Sequence, residues 1–96
     1  MDSALELLGL IYKAKKLVLG EEILKQIKKV KLLIIASDIS SNSRERFEKK
    51  CFYYKIEMID CFTGEQLSNY LGKNNVKAIG ITDLGFANSL KKKLEM

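Results

Sequence analysis

Apolar and polar positions along this chain follow two rhythms, one helical and one extended, and the switches between them mark its elements. Over residues 3–15, Leu5, Leu8 and Tyr12 fall at helical spacing, and Ala4, Leu7 and Ile11 widen the same stripe. Ser3, with Glu6 three residues on, has the form of a capping box. Leu17-Val18-Leu19 predicts a short strand ended by Gly20. Glu21 and Glu22 then predict a helix start, because carboxylates suit the positive pole of the helix dipole. In that helix Ile23, Leu24 and Ile27 are expected to face inward, leaving Lys25, Lys28 and Lys29 together on the outer face. Leu32 to Ala36 is an unbroken apolar run too short for a helix; it predicts a central strand covered on both sides.

The second half repeats the alternation. Asn42 with Glu45 predicts a cap for a helix over 43–54, with Phe47, Cys51 and Tyr54 turned inward. A strand is expected over 56–60. Thr63 and Gln66 pair as another capping box before a short helix carrying Leu67, Tyr70 and Leu71, which Gly72 stops. Lys73-Asn74-Asn75 reads as a turn, 76–81 as a strand, and Asp83 as the cap of a last helix reaching about residue 94. Crossover helices between parallel strands must lie on sheet faces. The fold class is therefore α/β: a three-layer α/β/α sandwich with a small mixed four-stranded sheet, residues 1–96 forming a single domain.

Charge sharpens this picture. Seventeen Lys and Arg against twelve Asp and Glu give a net charge of +5, which favours an anionic partner. Histidine is absent, so Ser/His/Asp and Cys/His catalysis are excluded, and Cys51 and Cys61 alone do not close a zinc site. Both cysteines have aromatic neighbours and are expected to be buried thiols. Neither phosphate-binding glycine motif occurs, so no cofactor is expected. Leu32 to Ala36 falls far short of the roughly 20 apolar residues that span a bilayer. The start of the chain lacks the basic region of a signal peptide; a cytoplasmic protein without a membrane role is expected.

Two clusters hold candidate chemistry. Asp38, Asp60 and Asp83 each follow a predicted strand, so an acidic pocket is conceivable, although aspartate at such places more often serves turns and caps. The basic helix is the better candidate. Lys25, Lys28 and Lys29 can follow a phosphate path, with Lys13, Lys15, Lys16 and Lys31 nearby, and such contacts position a backbone without reading its sequence. Gly20 admits close approach of a ligand to the backbone, and Glu21 and Glu22 can accept from base edges. The aromatic residues gather mostly in 51–54 at core spacing, so no base-stacking platform is evident from the sequence.

Taken in order, LLGLIYKAKKLVLGEE, LLIIASDISS, KCFYYKIEMID, FTGEQLSNYLGK and VKAIGITDLGFANSLKK resemble short bacterial YlxQ-like proteins of the kink-turn-binding ribosomal family, the L-seven-Ae type. The resemblance covers nearly the whole chain. It implies a non-enzymatic protein of α/β/α fold that binds structured RNA, typically a kink-turn, with ribosomal RNA as a candidate partner. The family's Asn-Glu-x-x-Lys motif corresponds here to Glu21-Glu22-Ile23-Leu24-Lys25, so Glu21 stands in place of the asparagine while Glu22 and Lys25 keep their positions. Lys29 falls where a basic residue is usual. The loop that packs on unpaired nucleotides corresponds to residues 72–76 and is polar here rather than apolar. The expected RNA-binding residues are Gly20, Glu21, Glu22, Lys25, Lys28, Lys29, Lys73, Asn74 and Asn75, in a monomer. Glu21 and the polar loop motivate one alternative, a protein-interaction module of the same fold. A small enzyme using Asp38 is a weaker one.

Overall fold

The computed structural model describes residues 3–95. Ten elements succeed one another: α1 (Ser3–Lys13), β1 (Leu17–Leu19), α2 (Glu21–Lys25), a 3-10 turn (Ile27–Lys29), β2 (Leu32–Ala36), α3 (Ser41–Tyr54), β3 (Glu57–Phe62), α4 (Gly64–Leu71), β4 (Ala78–Ile81) and α5 (Leu84–Leu94). The four strands form one mixed sheet in the order β1-β4-β2-β3. β4 runs antiparallel to both its neighbours, and β2 pairs with β3 in parallel.

β2 explains the layering. All five of its residues are buried. Strand geometry sends alternate side chains to opposite faces. Leu32, Ile34 and Ala36 join Leu8, Ile11, Leu67, Ile79 and Leu90 in a core with α1, α4 and α5. Leu33 and Ile35 join Ile23, Ile27, Val30 and Cys51 in a second core beneath α2, the 3-10 turn and α3. Helices therefore cover both sheet faces, as the alternation predicted.

Element boundaries depart from the expectations where a backbone group is claimed by another partner. Ser3 is itself helical, so the position that precedes the first turn lies outside the described residues. α3 begins at Ser41, and its cap is Ser40, whose hydroxyl accepts from the Ser43 amide (3.3 Å), rather than Asn42. A turn closed by the Ile39 amide on the Ala36 carbonyl (3.1 Å) brings the chain to the helix earlier than the pattern suggested. Ile56 donates to the Cys51 carbonyl at the end of α3 (2.8 Å), so β3 starts at Glu57. β3 then carries one extra residue, pairing Ile34 with Ile59 but Ala36 with Phe62, a bulge that extends it to Phe62. The Val76 amide goes to the Ser68 hydroxyl (2.9 Å), and β4 starts only at Ala78.

Burial also corrects the sequence reading. Cys51 is buried, and its burial pushes the thiol up to about 11, so it stays protonated at neutral pH. Cys61, on the edge strand β3, is exposed instead. Phe52 and Tyr53 are not core residues; they are 88% and 76% exposed. The inward stripe of α3 is carried by Cys51 with the half-buried Phe47 and Tyr54. Among the described residues no helix is long and apolar enough to cross a membrane.

Candidate nucleic-acid interface

At the end of β1 the chain must leave the sheet and turn directly into α2. Gly20 makes that turn with φ +59° and ψ −133°, a backbone conformation that side-chain-bearing residues rarely adopt. No heavy atom lies within 4 Å of where a Cβ would sit, so the requirement is conformational and the space in front of Gly20 is open.

Facing Gly20 is the loop after α4. Gly72 ends that helix in the left-handed conformation, φ +66°, and Lys73 donates to the Ser68 carbonyl (3.0 Å). The Ser68 hydroxyl holds the far side of the loop through Val76, so one serine fixes both ends. Asn75 is left-handed as well, φ +57°, which asparagine tolerates better than most residues. The Lys73 ammonium sits 5.8 Å from the centre of the Tyr12 ring, tying the loop to α1.

Between these segments lies a groove of about 410 Å³. Gly20, Glu21, Lys73, Asn74 and Asn75 all line it, so two stretches more than fifty residues apart in the chain meet as expected. Leu19, Leu24, Ile39, Val76 and Ala78 add apolar surface. The groove also contains residues that sequence reasoning missed: Ser43, Arg46 and Phe47 from α3, and Lys77. Its charged residues are thus three cations, Arg46, Lys73 and Lys77, against Glu21.

The remaining expected residues are arranged differently. Glu22 and Lys25 stand beside each other outside the groove lining, the ammonium 3.7 Å from one carboxylate oxygen while Gln26 donates to the other at 2.9 Å. This pair is exposed; it positions Glu22 more than it stabilises the fold. The lysines expected together on one helix are divided between two elements. α2 ends at Lys25, Gln26 leaves helical geometry (φ −111°, ψ 25°), and Lys28 and Lys29 occupy a separate 3-10 turn. Helical spacing does not bridge that break, although both lysines are exposed.

The three aspartates do not converge. Asp38 accepts from the Gly64 amide (2.9 Å) and meets the Lys77 ammonium (3.3 Å), and these two contacts, the first the larger, hold its carboxyl below the usual carboxylate range. Asp60 binds Arg44 at 2.7 Å, and Asp83 caps α5 through the Phe86 amide. Each carboxylate has a structural task, which removes the acidic-pocket expectation.

Comparison with known proteins places the chain among relatives. A model of the family described as "Ribosomal protein L7Ae/L30e/S12e/Gadd45 family" matches residues 2–91. A protein named "RNA-binding protein YlxQ" from Enterococcus faecium is 34% identical over 97 residues, covering 98% of this chain and 93% of that protein. Another of the same name from Bacillus subtilis (strain 168) is 37% identical over 87 residues, covering 88% and 87%. A solved structure described as a protein with unknown function from Bacillus halodurans C superposes with a TM-score of 0.93 at 29% identity, each chain fully covered. The non-enzymatic expectation agrees with the names of these relatives.

Proposed function

The chain belongs to the ribosomal protein L7Ae/L30e/S12e/Gadd45 family, and from that premise we propose that it is a non-catalytic RNA-binding protein that recognises a structured, kink-turn-like RNA. Ribosomal RNA is the candidate class of partner. The observation that carries this reading is the groove in which Gly20 and Glu21 face the loop of Lys73, Asn74 and Asn75. An RNA with splayed, unpaired nucleotides offers the base edges and bent backbone that such a cleft can take, which a regular A-form duplex does not.

Within this reading the residues divide their work. Gly20 presents bare backbone, so a ligand approaches without meeting a side chain. Glu22, steadied by Gln26 and Lys25, accepts from a base edge. Lys25 and Lys29 contact phosphates, with Lys28 and Lys73 adding to the field around the bound strand. Asn74 and Asn75 supply amide groups where an apolar loop would supply only packing.

The test is a titration with a kink-turn RNA and a straight duplex of equal length at two salt concentrations. Preference for the kink-turn supports the proposal. Lys25→Ala with Lys29→Ala should then weaken binding and lower the salt slope by about one for each phosphate no longer neutralised. Equal, steeply salt-dependent binding to both RNAs would reduce the reading to general RNA affinity. Glu21 on the groove wall favours a second reading, a protein-interaction module, and binding to neither RNA is the result that would select it.

A further inference from the structure

The flank of α3 that enters the groove continues beyond it. Ser43 and Arg46 line the groove. Lys50 and Tyr53 follow at helical spacing, so Ser43, Arg46, Lys50 and Tyr53 make one stripe (i, i+3, i+7, i+10) that leaves the groove along the helix. From Arg46 to Tyr53 it advances about 10 Å. The 3-10 turn that carries the exposed Lys28 and Lys29 packs beside α3 on the same face of the sheet.

Charge on α3 is distributed unevenly between its flanks. Both of its glutamates are engaged by basic residues outside this stripe: Glu48 by Arg44 (3.6 Å) and Glu45 by Lys49 (3.7 Å). Arg46 and Lys50 have no ion pair among the described residues. At the end of the stripe the Tyr53 ring is braced edge-on by Tyr54, with centroids 4.9 Å apart and planes at 81°. Tyr53 is nonetheless 76% exposed. Unpaired cations leading to a braced, open aromatic ring are the two components of a single-stranded nucleic-acid track: an electrostatic path for the backbone and a stacking surface for a base.

We propose that the α3 stripe Arg46–Lys50–Tyr53 carries an unpaired RNA strand leaving the groove, with a base stacked on Tyr53. This rests on the RNA-binding reading of the groove and extends it from a structured element to its single-stranded flank. Lys28 and Lys29, displaced from α2 by the break at Gln26, lie on the element beside this track rather than on the groove wall.

The experiment compares a kink-turn RNA without overhangs to the same RNA carrying about six unpaired nucleotides, within the range of known single-strand sites, at its 5′ or its 3′ end. One of the tails should tighten binding by about 5- to 150-fold, the range for one stacked base. Tyr53→Ala should abolish that gain, and Tyr53→Phe should keep it. Affinity for the RNA without a tail should be the same in both variants and the original chain. Lys50→Ala should lower the salt slope of the tailed RNA alone, by about one. Absence of a gain from either tail, or a gain that survives Tyr53→Ala, would overturn the track while leaving the groove reading intact. Failure of the tail-less RNA to bind at all would overturn both readings. Because Tyr53 is a surface residue, unchanged thermal unfolding of the variants checks that only the surface was altered.

Discussion

The two faces of the sheet are built from the same strands yet differ in how they use their helices. Among the described residues, fifteen buried side chains form the core under α1, α4 and α5, and seven form the core under α2, the 3-10 turn and α3. The first face is a thick apolar layer of regular helices. On the second, a five-residue helix, a single 3-10 turn and one longer helix cover less and leave an opening at one end. Stability is concentrated where helices are complete, and candidate chemistry where they are cut short. Short elements satisfy fewer of their own backbone groups, so they leave donors and acceptors for other partners.

The strongest way to break this comparison is to damage both cores equally and ask whether binding distinguishes them. Leu8→Ala, in the larger core, and Ile23→Ala, in the smaller, each remove a fully buried side chain and should each cost about 3 kcal/mol of stability by denaturant unfolding. Only Ile23→Ala should also weaken RNA binding under conditions where both variants are folded, since Ile23 seats α2 behind the groove. Equal weakening of binding in both would erase the division of labour.

A smaller effect is expected from Gly20→Ala. The new methyl meets nothing, but the backbone conformation becomes strained, at a cost of about 1–3 kcal/mol. Either the strain remains or α2 shifts to relieve it, and RNA titration should show weaker binding in both cases. Smaller again is Ser68→Ala, which deprives the Val76 amide of its acceptor and should cost about 1 kcal/mol in thermal or denaturant unfolding. It lies on the well-packed side but should still lower affinity, because the loop it holds belongs to the groove.

Asp38 gives the subtlest difference, one visible only in acid. Its carboxyl titrates below the ordinary aspartate value because folding stabilises the charged form through Gly64 and Lys77. The contribution is therefore fully present above about pH 3.9, the unfolded value, and is lost as pH falls through the lower folded value. Thermal unfolding of Asp38→Ala should differ from the original chain at neutral pH, and the two should converge as acid protonates Asp38. A constant difference down to low pH would assign the contact no ionic part.

Much of this architecture was legible because local chemistry and global fold agree. The unbroken run of β2, the Thr63–Gln66 capping box and the Asp83 cap all stand where the pattern placed them. The single lysine-bearing helix is divided at Gln26, a good helix former whose departure from helical geometry nothing in its own identity announces. Arg46 was invisible for a related reason. Read by periodicity, α3 shows an inward stripe and a solvated remainder, and only packing decides that one part of that remainder lies beside Gly20. Phe52 and Tyr53 misled because aromatic residues next to a core cysteine look like core residues, yet each lies about 100° around the helix from a position that is.

Gly80, in the middle of β4, lets the smaller core close down on the sheet. A Cβ there would lie 3.1 Å from a methyl of Val18 and 3.1 Å from a methyl of Val30, with Ile23 just beyond. The missing methyl therefore works as a depth gauge, setting how closely Val18 and Val30 settle over β4. Alanine would act as a shim a few tenths of an ångström thick under the Val18 and Val30 methyls, while Ile23 of α2, at 3.5 Å, would be in ordinary contact. The tightness of the smaller core is thereby set by a side chain that β4 lacks.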